Sequence, residues 1–125
     1  MYEIALTREF DAIHYLVGGD RGEENEPHEH HYKVEVVLSG PNLDRSGYLV
    51  DITSLDRAMD EVMNYVSGET LNDLREFAGL NPSIEHFASI WYQALRKNLN
   101  TDNLVGIRVR IWENEFAWAS YTEQF

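Results

Sequence analysis

The chain has 125 residues, no cysteine, and 22 Asp and Glu against 10 Lys and Arg, for a formal net charge of −12. This length fits one compact domain, residues 1–125, with a real buried core. Without cysteine there is no disulfide framework, thiolate metal ligand or cysteine nucleophile, and the acidic balance opposes binding to nucleic acid or an anionic membrane surface.

No apolar run reaches membrane length. The amino terminus alternates through Tyr2-Glu3-Ile4-Ala5-Leu6-Thr7, where a signal peptide would carry an apolar core, so a cytoplasmic protein is expected. That strand-like alternation continues to about Leu16. Gly18 to Pro27, rich in Gly and charge, reads as a long loop. From His28 to Ser39 a second strand alternates, with His28, His30, Tyr32, Val34, Val36 and Leu38 on one face. Glu29, His31, Lys33, Glu35 and Val37 lie on the other.

Gly40-Pro41-Asn42 breaks the strand and Asp44-Arg45-Ser46-Gly47 reads as a turn. A helix is predicted from about Thr53 to Val66, with the apolar stripe Leu55, Met59, Val62, Met63 and Val66, ended by Gly68. Asn81-Pro82-Ser83 starts a second helix, with Asn81 read as its cap and Pro82 in its first turn. Ile84, Phe87, Ala88, Trp91, Leu95 and Leu99 form its buried stripe. Two further strands, about Leu104 to Glu113 and Phe116 to Thr122, are joined tightly at Glu113-Asn114-Glu115. Val105, Ile107, Val109 and Ile111 alternate inward, and Glu113 continues that row. The order ββααββ predicts an α+β fold, a four-stranded antiparallel sheet with two helices on one face. Open edges and an uncovered sheet face predict homo-oligomerisation.

Side chains at i and i+2 of a strand share a face, so His28 and His30 can reach one point. His14, on the neighbouring strand, can supply a third imidazole. Three neutral imidazoles leave one position of a tetrahedral Zn²⁺ open, as in a catalytic site. From these residues alone, solvated strand histidines remain an equal reading. A carboxylate such as Glu113, closing an apolar row, needs a partner, a ligand or water. A polyanionic substrate would need a basic pocket, for which Arg8, Arg21, Lys33, Arg108 and Arg110 are the candidates.

Taken together, Phe10-x-Ala12-x-His14, His28-x-His30-x-Tyr32, Gly47-Tyr48-Leu49-Val50-Asp51, Leu71-Asn72, Asn81-Pro82-Ser83-Ile84-Glu85 and Trp112-Glu113 with Ala119-Ser120-Tyr121 make a specific series. In their order and spacing the chain resembles the 6-pyruvoyltetrahydropterin synthase and 6-carboxytetrahydropterin synthase family over nearly its full length. The resemblance implies the tunnelling fold, a homohexamer with sites between subunits, and a pterin partner, 7,8-dihydroneopterin triphosphate. It implies Zn²⁺ at His14, His28 and His30, acting on the side-chain oxygens of the substrate. Glu113 matches the glutamate that anchors the pterin, where a carboxylate accepts two parallel N–H bonds from a guanidine-like edge. Glu85 and Ser83 match a segment that shapes the same pocket, although Glu85 also suits simple compensation of a helix N-terminus.

The departures from the family pattern bear on its chemistry. Glu24 stands where the family has a catalytic cysteine, and Ser67 and Gly68 stand where it has an Asp-His pair. The His-Gly-His motif has become His28-Glu29-His30, followed by His31, and His86 replaces an asparagine. Three readings follow. The first is a synthase-like lyase, of queuosine, folate or biopterin biosynthesis, with Glu24 as base and His31, Glu26 or His86 as a second proton carrier. The second is retro-aldol cleavage by Glu24 to 6-hydroxymethyl-dihydropterin. The third is a non-catalytic relative that binds zinc and pterin.

Overall fold

In the computed structural model, which describes residues 1–125, four strands form one antiparallel sheet in the order β1-β2-β3-β4. The strands are β1 (Tyr2–His14), β2 (His28–Gly40), β3 (Gly106–Trp112) and β4 (Trp118–Gln124). Two helices, α1 (Ile52–Val66) and α2 (Ile84–Arg96), connect the hairpins and pack on one face. The expected ββααββ architecture is the one observed.

The alternation read from sequence sets the register. Tyr2 pairs with Gly40 at one end of the first ladder and His14 with His28 at the other, with Phe10 opposite Tyr32 and Ala12 opposite His30. Phe10, Ala12, Tyr32, Val34, Val36 and Leu38 are therefore buried beneath the helices, while Glu9, Asp11, His31 and Lys33 stand exposed on the opposite face. A one-residue slip would exchange these two sets.

Each helix follows from its stripe and its cap. In α1 the buried residues are Leu55, Ala58, Met59, Val62 and Val66, and the Asp51 carboxylate accepts the Thr53 N–H at 2.9 Å. In α2 they are Phe87, Ala88, Trp91, Tyr92 and Leu95. Its cap differs from the sequence expectation. Ser83 is the N-cap, its hydroxyl accepting the His86 N–H at 3.1 Å, so Pro82 precedes the helix and Asn81 is free for other work. Pro82 has no N–H to lose there and Ser83 supplies the acceptor that the first turn needs.

Other boundaries also move. β1 ends at His14, before Leu16, and β4 begins at Trp118, because residues 113–117 form a turn in which Asn114 Oδ1 accepts the N–H groups of Phe116 and Ala117, both at 2.8 Å. Short 3-10 turns at Gly22–Asn25, Leu71–Asp73 and Arg75–Phe77 were not legible from periodicity, and the last buries Phe77. Twenty-four buried residues form one apolar cluster between sheet and helices. Within it Phe10, Tyr32 and Phe87 pack ring to ring at 5.2–5.9 Å, directly behind the His14 end of the sheet.

β2 outruns β3. The β2–β3 ladder begins at Lys33 opposite Trp112, so residues His28 to Tyr32 are paired only with β1. A notch results, flanked by the 113–117 turn.

Candidate metal centre

His14 and His28 are direct cross-strand partners at the last rung of the first ladder, and His30 is two residues along the same face. The three rings are packed at centroid distances of 4.6–4.8 Å. One nitrogen from each lies within 4.8 Å of the others, and His14 Nε2 is 3.0 Å from His28 Nε2. Two nitrogens bound tetrahedrally to one Zn²⁺ at about 2.05 Å would stand about 3.3 Å apart, so the His14–His28 pair already has nearly the required spacing, and the wider pairs of the triad would close by up to about 1.5 Å around such an ion.

In two of the three rings, His14 and His28, the remaining nitrogen is tied back to the protein. His14 Nδ1 faces the Pro82 carbonyl at 3.1 Å and the Tyr32 hydroxyl at 3.2 Å, and His28 Nδ1 faces the Glu26 carbonyl at 2.9 Å. A carbonyl can only accept, so both Nδ1 atoms carry the proton and leave Nε2 as the lone-pair donor. Such contacts fix ring orientation in metal sites. His14 is 3% exposed. Burial, and then the neighbouring His30, push its pKa from 6.5 down to about 4, against the upward pull of the Pro82 carbonyl. It is therefore neutral near pH 7, the state a ligand requires.

Glu24 stands in the 3-10 turn, exposed, and close enough to His14 for its carboxylate to pull that pKa upward. It is not among the three residues whose donor atoms converge. Its place is set by its backbone: the Leu16 N–H, two residues beyond His14, donates to the Glu24 carbonyl at 2.7 Å.

Glu113 is half-buried, one residue past β3, beside Tyr32. Burial first, and the Glu113 carboxylate second, push the Tyr32 hydroxyl upward in pKa and keep it protonated. Tyr32 thus lies between Glu113 and His14. Its place in the His28-His30-Tyr32 row put it on the histidines' face in the sequence, but nothing in the pattern marked its contact with His14 or that of the Pro82 carbonyl.

The other candidates are placed elsewhere. Glu85 is exposed in the first turn of α2, where its charge suits the helix terminus, and the Ser83 hydroxyl is engaged as the cap. His86 Nδ1 faces the Asn81 carbonyl at 2.8 Å. His31 points to the opposite sheet face, clamped between Asp11 at 2.7 Å and Glu9 at 3.0 Å, which raise its pKa. Beside it, a cleft of about 580 Å³ runs between His31 and Lys33 on one side and Trp112, Glu113 and the turn on the other. Four of the five basic candidates do not gather at the triad. Arg8 pairs with Asp56 and Asp60, Arg108 and Arg110 reach toward Glu35 at 3.9 Å, and Lys33 lies 5.1 Å over the Trp112 ring.

The sequence matches the profile of the 6-pyruvoyl tetrahydropterin synthase family over residues 3–124, and the chain belongs to that family. It is 32% identical over 114 residues to the dihydroneopterin monophosphate aldolase of Pyrococcus furiosus, covering 90% of this chain and 91% of that one. The solved 6-pyruvoyl tetrahydropterin synthase of Caenorhabditis elegans superposes with a TM-score of 0.84 at 23% identity, over 98% of this chain and 96% of that one. A Plasmodium vivax 6-pyruvoyltetrahydropterin synthase, solved with a catalytic glutamate replaced by alanine, gives 0.79 at 16% identity over 100% of both chains. The fold is that of the pterin synthases, as the sequence resemblance implied.

Proposed function

We propose that this protein is a zinc-dependent enzyme acting on the C6 side chain of a 7,8-dihydropterin, and that it cleaves that side chain by retro-aldol chemistry. The observation that carries the reading is Glu24, a carboxylate held beside an open three-histidine site without joining it. Zn²⁺ bound by His14, His28 and His30 would supply Lewis acidity toward the side-chain hydroxyls. Glu113 holds the guanidine-like edge of the pterin through two N–H bonds, in the notch where β2 has no β3 partner. Glu24 takes the proton of the 2′-hydroxyl. The C1′–C2′ bond then breaks, C2′ leaves as an aldehyde carbon, and the electron pair passes from C1′ into the C6=N5 bond of the ring. Return of the proton to C1′ completes 6-hydroxymethyl-dihydropterin.

Two relatives support this reading. The P. furiosus relative is an aldolase, and the P. vivax synthase shows that a glutamate can serve as a catalytic residue on this fold. The family match favours a second reading, loss of triphosphate from 7,8-dihydroneopterin triphosphate as in the synthases that name the family. The uncovered sheet face and the open edges of β1 and β4 support assembly into a homo-oligomer, a hexamer by family resemblance. No helix is long and apolar enough to cross a membrane, which agrees with a cytoplasmic setting.

The test is incubation of zinc-loaded protein with 7,8-dihydroneopterin and, separately, its triphosphate, followed by mass analysis of the pterins. 6-Hydroxymethyl-dihydropterin with a two-carbon aldehyde is expected, and Glu24→Gln should abolish it with zinc retained. Loss of triphosphate would establish the second reading. Intact pterins from a protein that still binds them would leave a non-catalytic relative, and loss of zinc from Glu24→Gln would make Glu24 a ligand.

A further inference from the structure

Where β1 leaves the sheet after His14, its backbone polar groups need new partners. The segment after α1 first runs beside the outer edge of β1, the Gly68 N–H donating to the Asp11 carbonyl at 2.7 Å and the Ile13 N–H to the Glu69 carbonyl at 2.9 Å. Gly68 takes φ +75°, a left-handed conformation open to glycine. At Leu71 the 3-10 turn lifts this backbone away, and the Asn72 side chain continues the ladder. It accepts the Tyr15 N–H at 3.0 Å and donates to the Tyr15 carbonyl at 2.9 Å.

Asparagines serve the next two residues as well. Asn25 Nδ2 donates to the Leu16 carbonyl at 3.0 Å, and Asn81 Oδ1 accepts the Val17 N–H at 3.0 Å. Asn25 Oδ1 also accepts the Arg21 N–H at 2.7 Å, closing the loop that carries Glu24. That loop's 3-10 turn buries no residue, so hydrogen bonds and not apolar packing hold it. A carboxamide offers a donor and an acceptor side by side, which neither a carboxylate nor an apolar side chain can do.

We infer that Asn72 and Asn25 are positioning residues with divided tasks. Asn72 holds the strand exit that carries His14, and so governs metal affinity. Asn25 holds the turn that carries Glu24, and so governs turnover; this half rests on the function proposed above.

The test compares Asn72→Ala and Asn25→Ala by three readouts: zinc affinity by competition with a chromogenic chelator, kcat on 7,8-dihydroneopterin at saturating zinc, and amide exchange of Tyr15 and Leu16 in metal-free protein. Asn72→Ala should weaken zinc about 10-fold, the low end of the range for losing an outer partner because Asn72 acts through the Tyr15 backbone and not on the imidazole itself, and speed exchange at Tyr15. Asn25→Ala should leave zinc affinity unchanged, speed exchange at Leu16, and lower kcat on the order of 100-fold, as a reacting group misplaced by about 1 Å does. Asn25→Asp keeps the acceptor for Arg21 but loses the donor to Leu16, and should show the same split if the alanine variant does not fold. Equal losses of zinc and kcat from both substitutions, or no loss from either, overturn the inference. If wild-type protein turns over neither dihydroneopterin nor its triphosphate, the proposed function fails. The zinc and exchange measurements then still decide the task of Asn72.

Discussion

Protonation of His14 should destabilise the metal-free protein as the pH is lowered, by an amount the structure sets. The imidazole titrates at 6.5 when exposed and at about 4 in the fold, because burial and then His30 disfavour its charge. Between those values the unfolded chain binds the extra proton, so stability is complete above pH 6.5 and falls as the pH drops toward 4. Integrating between those two pKa values gives a loss of about 2 kcal/mol at pH 5 and about 3 kcal/mol at pH 4. For a chain of this size, 2 kcal/mol corresponds to about 7 °C in Tm. The assay is urea unfolding of chelator-treated protein at several pH values from 7.5 to 5, beside His14→Gln, which cannot titrate. Carboxylate titration and relief of the net negative charge are common to both proteins, so the divergence of their two pH profiles isolates the imidazole. Parallel profiles would refute the assignment of His14 as a buried, neutral, metal-ready ligand.

His28→Ala should abolish stoichiometric zinc binding, measured by metal analysis after dialysis, while far-UV circular dichroism is retained, since His28 is only half-buried at the end of its ladder; full occupancy would refute the site. Glu113→Gln keeps one acceptor oxygen but replaces the other with an NH₂ donor and removes the charge, so it should weaken binding of 7,8-dihydroneopterin by about 1.5–3 kcal/mol, the range for hydrogen bonds to charged groups, with zinc affinity unchanged. Titration calorimetry checks both quantities, with pterin into the zinc-loaded protein and zinc into the metal-free protein.

The parts of this fold legible in sequence are those governed by periodicity. Alternation through Tyr32, Val34, Val36 and Leu38 identified the buried face of β2, and because His28 and His30 continue that row, the candidate metal ligands could be read with it. The helical stripes through Met59 and Trp91 were equally plain. Polar hydrogen bonding between distant residues was not. β1 stops at His14 because Asn72 and Asn25 take over its backbone partners, and a side chain that imitates a strand leaves no period behind. Asn81-Pro82-Ser83 offers two capping residues, and only the packed structure assigns the cap to Ser83 and turns Asn81 toward Val17. Glu24 was marked by its match to a family position. Its nearness to His14 comes from the Leu16–Glu24 backbone bond, which sequence does not display.

The three histidines stand on strands whose register is locked from Tyr2–Gly40 to His14–His28, whereas Glu24 stands on the connection between them. An insertion or deletion within either strand, between its ligand and the rest of the ladder, would turn ligands to the wrong face, so the metal site tolerates no change of length there. Most of the connection is under no such constraint: apart from Glu26, whose carbonyl orients His28, it can be lengthened or rewritten with the histidine pairing intact. On the function proposed above, one scaffold can therefore exchange its proton carrier, and with it the bond it breaks, while keeping the same three histidines in the same place. A change of proton carrier on this scaffold is to be sought between residues 15 and 27, and a loss of the metal in the strands on either side and at Asn72, which holds the exit of β1.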